Sequence, residues 1–175
     1  MQVEGARRHA QTTVAGLSAA QLAWQPGPKA WGVAQCIEHL VLTLEANALQ
    51  VPGKIAEART KGAPPVYDEW KPGWIGGFLI NGTKPGSRPV RTSPKFVPVT
   101  TRPEVLQRFL EKTDAMVGWM RSADGLDLTR IRIRSPFLSL LSYHLGDCFT
   151  INTVHLERHL QQADRVKTKE GFPKG

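Results

Sequence analysis

The sequence predicts an all-α protein, a four-helix bundle with a long crossover loop between its second and third helices. Three observations predict it. Apolar residues recur at helical spacing in four segments, no segment alternates long enough to read as a confident strand, and residues 62–98, between the second and third segments, are crowded with glycine and proline. At 175 residues the chain fits one domain on the rough prior of about 150 residues each, so 1–175 is read as a single bundle.

The first helix is expected from about Val3 to Gly16, on the stripe Val3, Ala6, Ala10 and Val14. Ser18 then caps a turn through Leu22, and Trp24-Gln25-Pro26-Gly27-Pro28 prevents any helix before Trp31. The second helix is expected from about Gly32 to Arg59, kinked or cut short at Pro52-Gly53. It carries two apolar flanks, Val33, Ile37, Leu40, Leu44 and Ala48 on one side and His39, Leu42, Ala46 and Leu49 on the other. Glu38 and Glu45 fall on one edge between them and Thr43, Asn47 and Gln50 on the other, the pattern of a helix buried on two sides.

No regular element is expected to persist within 62–98. Trp70, Trp74, Phe78, Leu79 and Ile80 nevertheless argue that part of the segment packs down, because disordered linkers carry few large apolar groups. Thr101 followed by Glu104 is a capping-box pattern that opens the third helix, which continues through Leu106, Phe109, Leu110, Thr113, Met116, Val117 and Met120. Arg130, Arg132 and Arg134 then alternate with Ile131 and Ile133 in a short extended segment, and Pro136 begins an apolar turn through Leu141. The last helix is expected from about Gly146 to Lys167.

Composition bounds the function. The formal net charge is +8, but its excess is spread along the chain, with half of it in residues 61–100. Three alternating arginines without a groove-entering helix or an aromatic stacking platform read as a solvated basic surface, so nucleic acid is not the expected partner. No apolar run reaches the ~18 residues that span a bilayer, and Met1 to Ala10 is polar. A cytoplasmic protein without a membrane partner is expected. Its two cysteines, Cys36 and Cys148, cannot form a disulfide framework and read as reduced, buried groups.

Chemistry concentrates in His155-Leu156-Glu157-Arg158-His159. Histidines at i and i+4 lie about 40° apart on a helix, so both imidazoles reach one point beside it. Glu157 falls about 200° from His155, away from that point, which excludes the metalloprotease arrangement of a glutamate directly after the first histidine. The stripe continues through Cys148, Ile151, Asn152, Gln162 and Val166, partly polar, beside the apolar stripe Phe149, Leu156, Leu160 and Ala163. His39 stands on an apolar flank of the second helix, where an imidazole needs a hydrogen-bond partner or a metal. With His155 and His159 it would complete a three-nitrogen set open on one side, as catalytic zinc sites are; a satisfied core histidine is the alternative. Asn152 and Gln162 lie one turn from a ligand and could orient it. Arg158 is either a contact for an anionic substrate or a solvated arginine, and His9 and His144 have no partner at ligand spacing.

Taken together, these segments resemble the DinB-like superfamily. Trp31 precedes the His39-Leu40 pair by eight residues, with Trp24-Gln25-Pro26 upstream, like that family's second-helix signature. The closing helix, His155-x3-His159 followed by Gln161 or Gln162, is similar to its last motif, and Ser135-Pro136-Phe137 through Leu145-Gly146-Asp147 resembles the approach to it. Gly32 departs from the serine that often caps the family's second helix. The resemblance implies a four-helix bundle and a divalent metal, zinc or nickel, on His39, His155 and His159. It also implies a metal-dependent S-transferase that uses a low-molecular-weight thiol on a small-molecule substrate, with hydrolysis as a further enzymatic outcome. A non-catalytic, stress-related binding bundle is the alternative, and a homodimer is a possible assembly for which no surface patch singles out an interface.

Overall fold

In the computed structural model, residues 2–66, 70–88, 91–99, 104–138 and 140–174 are described. Four helices form the bundle: α1 (Gln2–Val14), α3 (Val33–Ala48), α6 (Val105–Ser122) and α7 (Leu145–Lys167). Three shorter helices join them: α2 (Ala19–Ala23), α4 (Val51–Thr60) and α5 (Trp74–Thr83). Strands β1 (Arg132–Arg134) and β2 (Ser142–His144) pair antiparallel, with Ile133 opposite Tyr143. The fold is all-α in character. Among the described residues, no helix is long and apolar enough to cross a membrane.

Local chemistry sets the boundaries. Gly16 takes a left-handed φ of 72° just beyond α1, where a side chain would be strained. The Ser18 hydroxyl accepts from the Gln21 amide while the Gln21 side chain accepts from the Ser18 amide, a reciprocal cap that closes α2. At Gly32 a Cβ would overlap the Trp24 carbonyl oxygen, so no larger residue has room on this backbone. The Gln35 side chain accepts from the Gly32 amide instead, at 2.9 Å.

Contacts along the helices define their directions. Glu38 and Glu45 of α3 meet Arg108, and Glu45 also meets Lys112 further along α6, so α3 and α6 run parallel. His39 meets His155, whereas Asn47 meets Asn152, so α3 and α7 run antiparallel. Thr13 bonds to Asp164 and accepts from Lys167, and His9 bonds to Glu157 and Asp164, which sets α1 alongside α7 in the same sense. Successive bundle helices that run parallel need a connection spanning the bundle's length, and the segment between α4 and α6 supplies it.

Two expectations are corrected. The second helix breaks at Leu49-Gln50, ahead of Pro52, because proline fits the first turn of a new helix and α4 starts there with Pro52 inside it. The glycine- and proline-rich crossover does hold a helix, α5, although glycine disfavours one. The buried Asp147 carboxylate accepts from the Gly73 amide at its start, and Gly76 lies so close to that carboxylate that a Cβ would overlap it. At its far end Arg158 donates to the Lys84 carbonyl at 3.0 Å and to Ser87, so α5 is pinned to α7 at both ends. The alternating arginine segment is extended as expected, and Arg132–Arg134 pairs as strand β1 with Ile133 fully buried and Arg132 and Arg134 exposed. The Thr101 capping box falls outside the described residues; Glu104 is the cap residue of α6.

Candidate metal centre

The α3–α7 contact carries the core of the bundle, with Val33, Ile37, Leu40 and Leu44 against Leu156 and Leu160. Within this apolar surface a row of polar side chains on each helix faces the other. The structure brings His39, His155 and His159 together: one ligating nitrogen from each lies within 4.8 Å of the other two. The Nε2 atoms of His39 and His155 are 3.2 Å apart. Two nitrogens about 2.1 Å from a shared cation at angles of 90–110° are themselves separated by roughly 3.0–3.4 Å, so the donor set fits a metal ion.

Neighbouring groups fix which nitrogens face inward. His39 Nδ1 donates to the Phe96 carbonyl at 2.7 Å, and a carbonyl only accepts, so the lone pair stands on Nε2. His159 Nδ1 donates to the Gln162 side-chain oxygen at 3.0 Å, with the same consequence. This is how ligating histidines are oriented, the outer nitrogen held by a carbonyl and the inner one left free. Aromatic rings surround the cluster. Trp31 lies 4.7 Å from the His39 ring and 5.7 Å from the His159 ring, Phe137 lies 6.1 Å from His155, and Phe96 packs on Phe137 at 4.7 Å.

The electrostatics keep all three imidazoles neutral. Burial lowers the pKa of His39 to about 4, against the opposing pull of the Phe96 carbonyl. Burial and then the charge of His39 lower His159 to about 3, and burial with the neighbouring His159, His39 and Arg158 pushes His155 well below its ordinary value. Neutral imidazole is the form that binds a metal, so no proton need be displaced near pH 7.

The other candidates fall into place around this cluster. Gln162 orients His159, whereas Asn152 bonds to Asn47 and the Cys148 carbonyl and touches none of the three histidines. Glu157 points away, accepting from His9 and Gln161. Arg158 holds the end of α5 rather than standing in solvent. His9 and His144 each meet carboxylates, Asp164 with Glu157 and Asp147 respectively. Both thiols are buried, and burial raises each to about 12. The Phe96 carbonyl and the positions of Trp31 and Phe137 are absent from the sequence reading. A backbone acceptor leaves no trace in residue identity, and aromatic side chains read equally well as core.

The fold and the cluster define a helical bundle with a three-histidine centre between antiparallel helices. A family model described as the DinB superfamily matches residues 2–163, and the chain belongs to that superfamily. No curated protein and no solved structure matches it.

Proposed function

We propose that this protein is a metal-dependent transferase that joins a low-molecular-weight thiol to a small electrophilic substrate, with a divalent cation, zinc or nickel, on Nε2 of His39, His155 and His159. The observation that carries the reading is the convergence of three neutral imidazoles, two of them oriented by oxygen acceptors on Nδ1. A cation bound there would supply Lewis acidity, lowering the pKa of a thiol or a water that reached it.

The chain's own residues do the rest. The Phe96 carbonyl and the Gln162 amide hold the tautomers. Trp31, Phe96 and Phe137 displace water from the flanks of the cluster, which strengthens electrostatic interactions inside it. Neither cysteine can be the nucleophile, because each is buried and held as a thiol by burial, so the reacting sulfur comes from a dissolved cosubstrate.

The test is conjugation of small thiols to a panel of electrophiles by protein loaded with zinc or nickel. Turnover in wild type and in Cys36→Ala, lost in His39→Ala, is the expected result. A metal-loaded wild type that turns over none of a broad panel contradicts the transferase reading and leaves a non-catalytic metal-binding bundle.

A further inference from the structure

The polar row that holds the histidines continues beyond them. On α3, His39, Thr43 and Asn47 recur every four residues. On α7, Cys148, Asn152, His155 and His159 occupy one face, and the two rows oppose each other. Asn47 and Asn152 are both buried, and they meet: Asn47 Nδ2 donates to Asn152 Oδ1 at 3.2 Å. Asn47 Nδ2 also donates to the Thr43 carbonyl at 2.9 Å, Asn152 Nδ2 to the Cys148 carbonyl at 2.7 Å, and the Cys148 thiol to Asn47 Oδ1 at 3.3 Å. Each amide therefore bonds to its own helix and to the facing one.

We infer that the Asn47–Asn152 pair is a register lock that positions His39 against His155 and His159. The inference rests on the metal reading above. The apolar part of the interface is built from leucine, isoleucine and valine, side chains whose contacts are non-directional and set register through shape alone. Histidine nitrogens tolerate none, since one turn is about 5.4 Å and a ligand bond tolerates only a few tenths of an ångström. A directional contact between the two helices distinguishes registers more sharply, and a buried amide pair does so because any other register leaves its donors and acceptors unpaired. The geometry matches. Asn47 lies eight residues from His39, about 12 Å along α3, and the midpoint of its partners Cys148 and Asn152 lies about seven residues from the midpoint of His155 and His159, about 10.5 Å along α7 in the opposite sense. Locking one level therefore sets the other. These asparagines touch no histidine and act as positioning residues.

The experiment compares wild type, the double variant Asn47→Leu/Asn152→Leu, the single variant Asn47→Ala and a core control, Met116→Ala on α6, whose side chain is buried away from the seam. Affinity for Co2+ is measured by competition with a chromophoric chelator, alongside the Co2+ ligand-field spectrum and the thermal midpoint. Expected is at least a tenfold loss of Co2+ affinity and an altered ligand-field band in both asparagine variants, with neither change in the control even where it is equally destabilised. Should the double variant fail to fold, the single variant against the control carries the same comparison. Unchanged Co2+ affinity and spectrum in a folded asparagine variant, or losses that merely follow stability across all variants, overturn the lock. Wild type that binds no Co2+ overturns the metal reading itself, and with it the lock.

Discussion

Two adjacent residues of α3 show how differently one bundle treats buried polar groups. Glu38 turns toward α6, where Arg108 donates to both of its oxygens at 2.8 and 2.9 Å and also to Glu45. Charge is met by opposite charge, and the Arg108 guanidinium is held in its charged form against the cost of its burial. His39 turns toward α7 and meets two more imidazoles, with no carboxylate bonded to any of the three among the described residues. Burial there removes charge instead of pairing it. The first cluster is complete in itself and serves the fold. The second gathers lone pairs, which is how a protein prepares for a cation.

That contrast can be broken from either side. The largest effect belongs to the ion pair: Glu38→Ala leaves Arg108 largely buried with only the more exposed Glu45, and should cost about 3 kcal/mol in denaturant unfolding while metal binding persists. A loss below about 1 kcal/mol would place this pair with ordinary surface bridges. Next comes metal itself, which should raise the stability of wild type by about 2.7 kcal/mol at a free concentration one hundred times its Kd, and should leave the thermal midpoint of His39→Ala unmoved. Removing the group that orients a ligand is milder. Gln162→Ala is expected to weaken metal binding about tenfold, or roughly 1.4 kcal/mol, at unchanged stability of the metal-free protein, as read by chelator competition.

The smallest effect lies at the α1–α7 surface. Burial opposes charge on His9, but Asp164 and Glu157 outweigh it and raise its pKa, while burial of Asp164 is outweighed by bonds from His9 and Thr13 that lower its own. A raised histidine stabilises fully below its unfolded value near 6.5 and loses the contribution as pH climbs through the folded value; a lowered aspartate stabilises above about 3.8 and loses it as pH falls. The pair should therefore contribute most between about pH 4 and 6.5, by a few tenths of a kcal/mol for so exposed a site. Urea titrations of wild type and His9→Ala at pH 5.5 and 8.5 would show the gap between them narrowing at the higher pH; an equal gap at both would contradict the pairing.

Much of this was legible in the residues. Helical spacing marked α1, α3, α6 and α7, and Ser18 marked a cap, because periodicity and capping are local properties. His155 and His159 announced themselves by spacing. His39 could be joined to them only through the family resemblance, since nothing in a single sequence says which helices are neighbours. The same limit hid the Glu38–Arg108 pair, whose members are separated by 70 residues. It also hid the seam: Thr43 and Asn47, read as a polar edge between two apolar flanks, are buried against α7, while Leu49, read as part of an apolar flank, is 89% exposed. Hydrophobicity alone misjudged that face because its polar groups satisfy one another across the interface. Helix α5 was missed for a related reason, its support coming from Asp147 and Arg158 far along the chain rather than from its own glycine-rich sequence.

The most direct measurement is the metal content of untagged protein by plasma mass spectrometry, comparing wild type with His39→Ala and His159→Ala purified identically, with helical circular dichroism recorded on each. The account predicts near-stoichiometric zinc or nickel in wild type and its loss in both folded variants. Wild type that holds neither metal after incubation with both, or variants that retain it, would contradict a centre built on these three histidines.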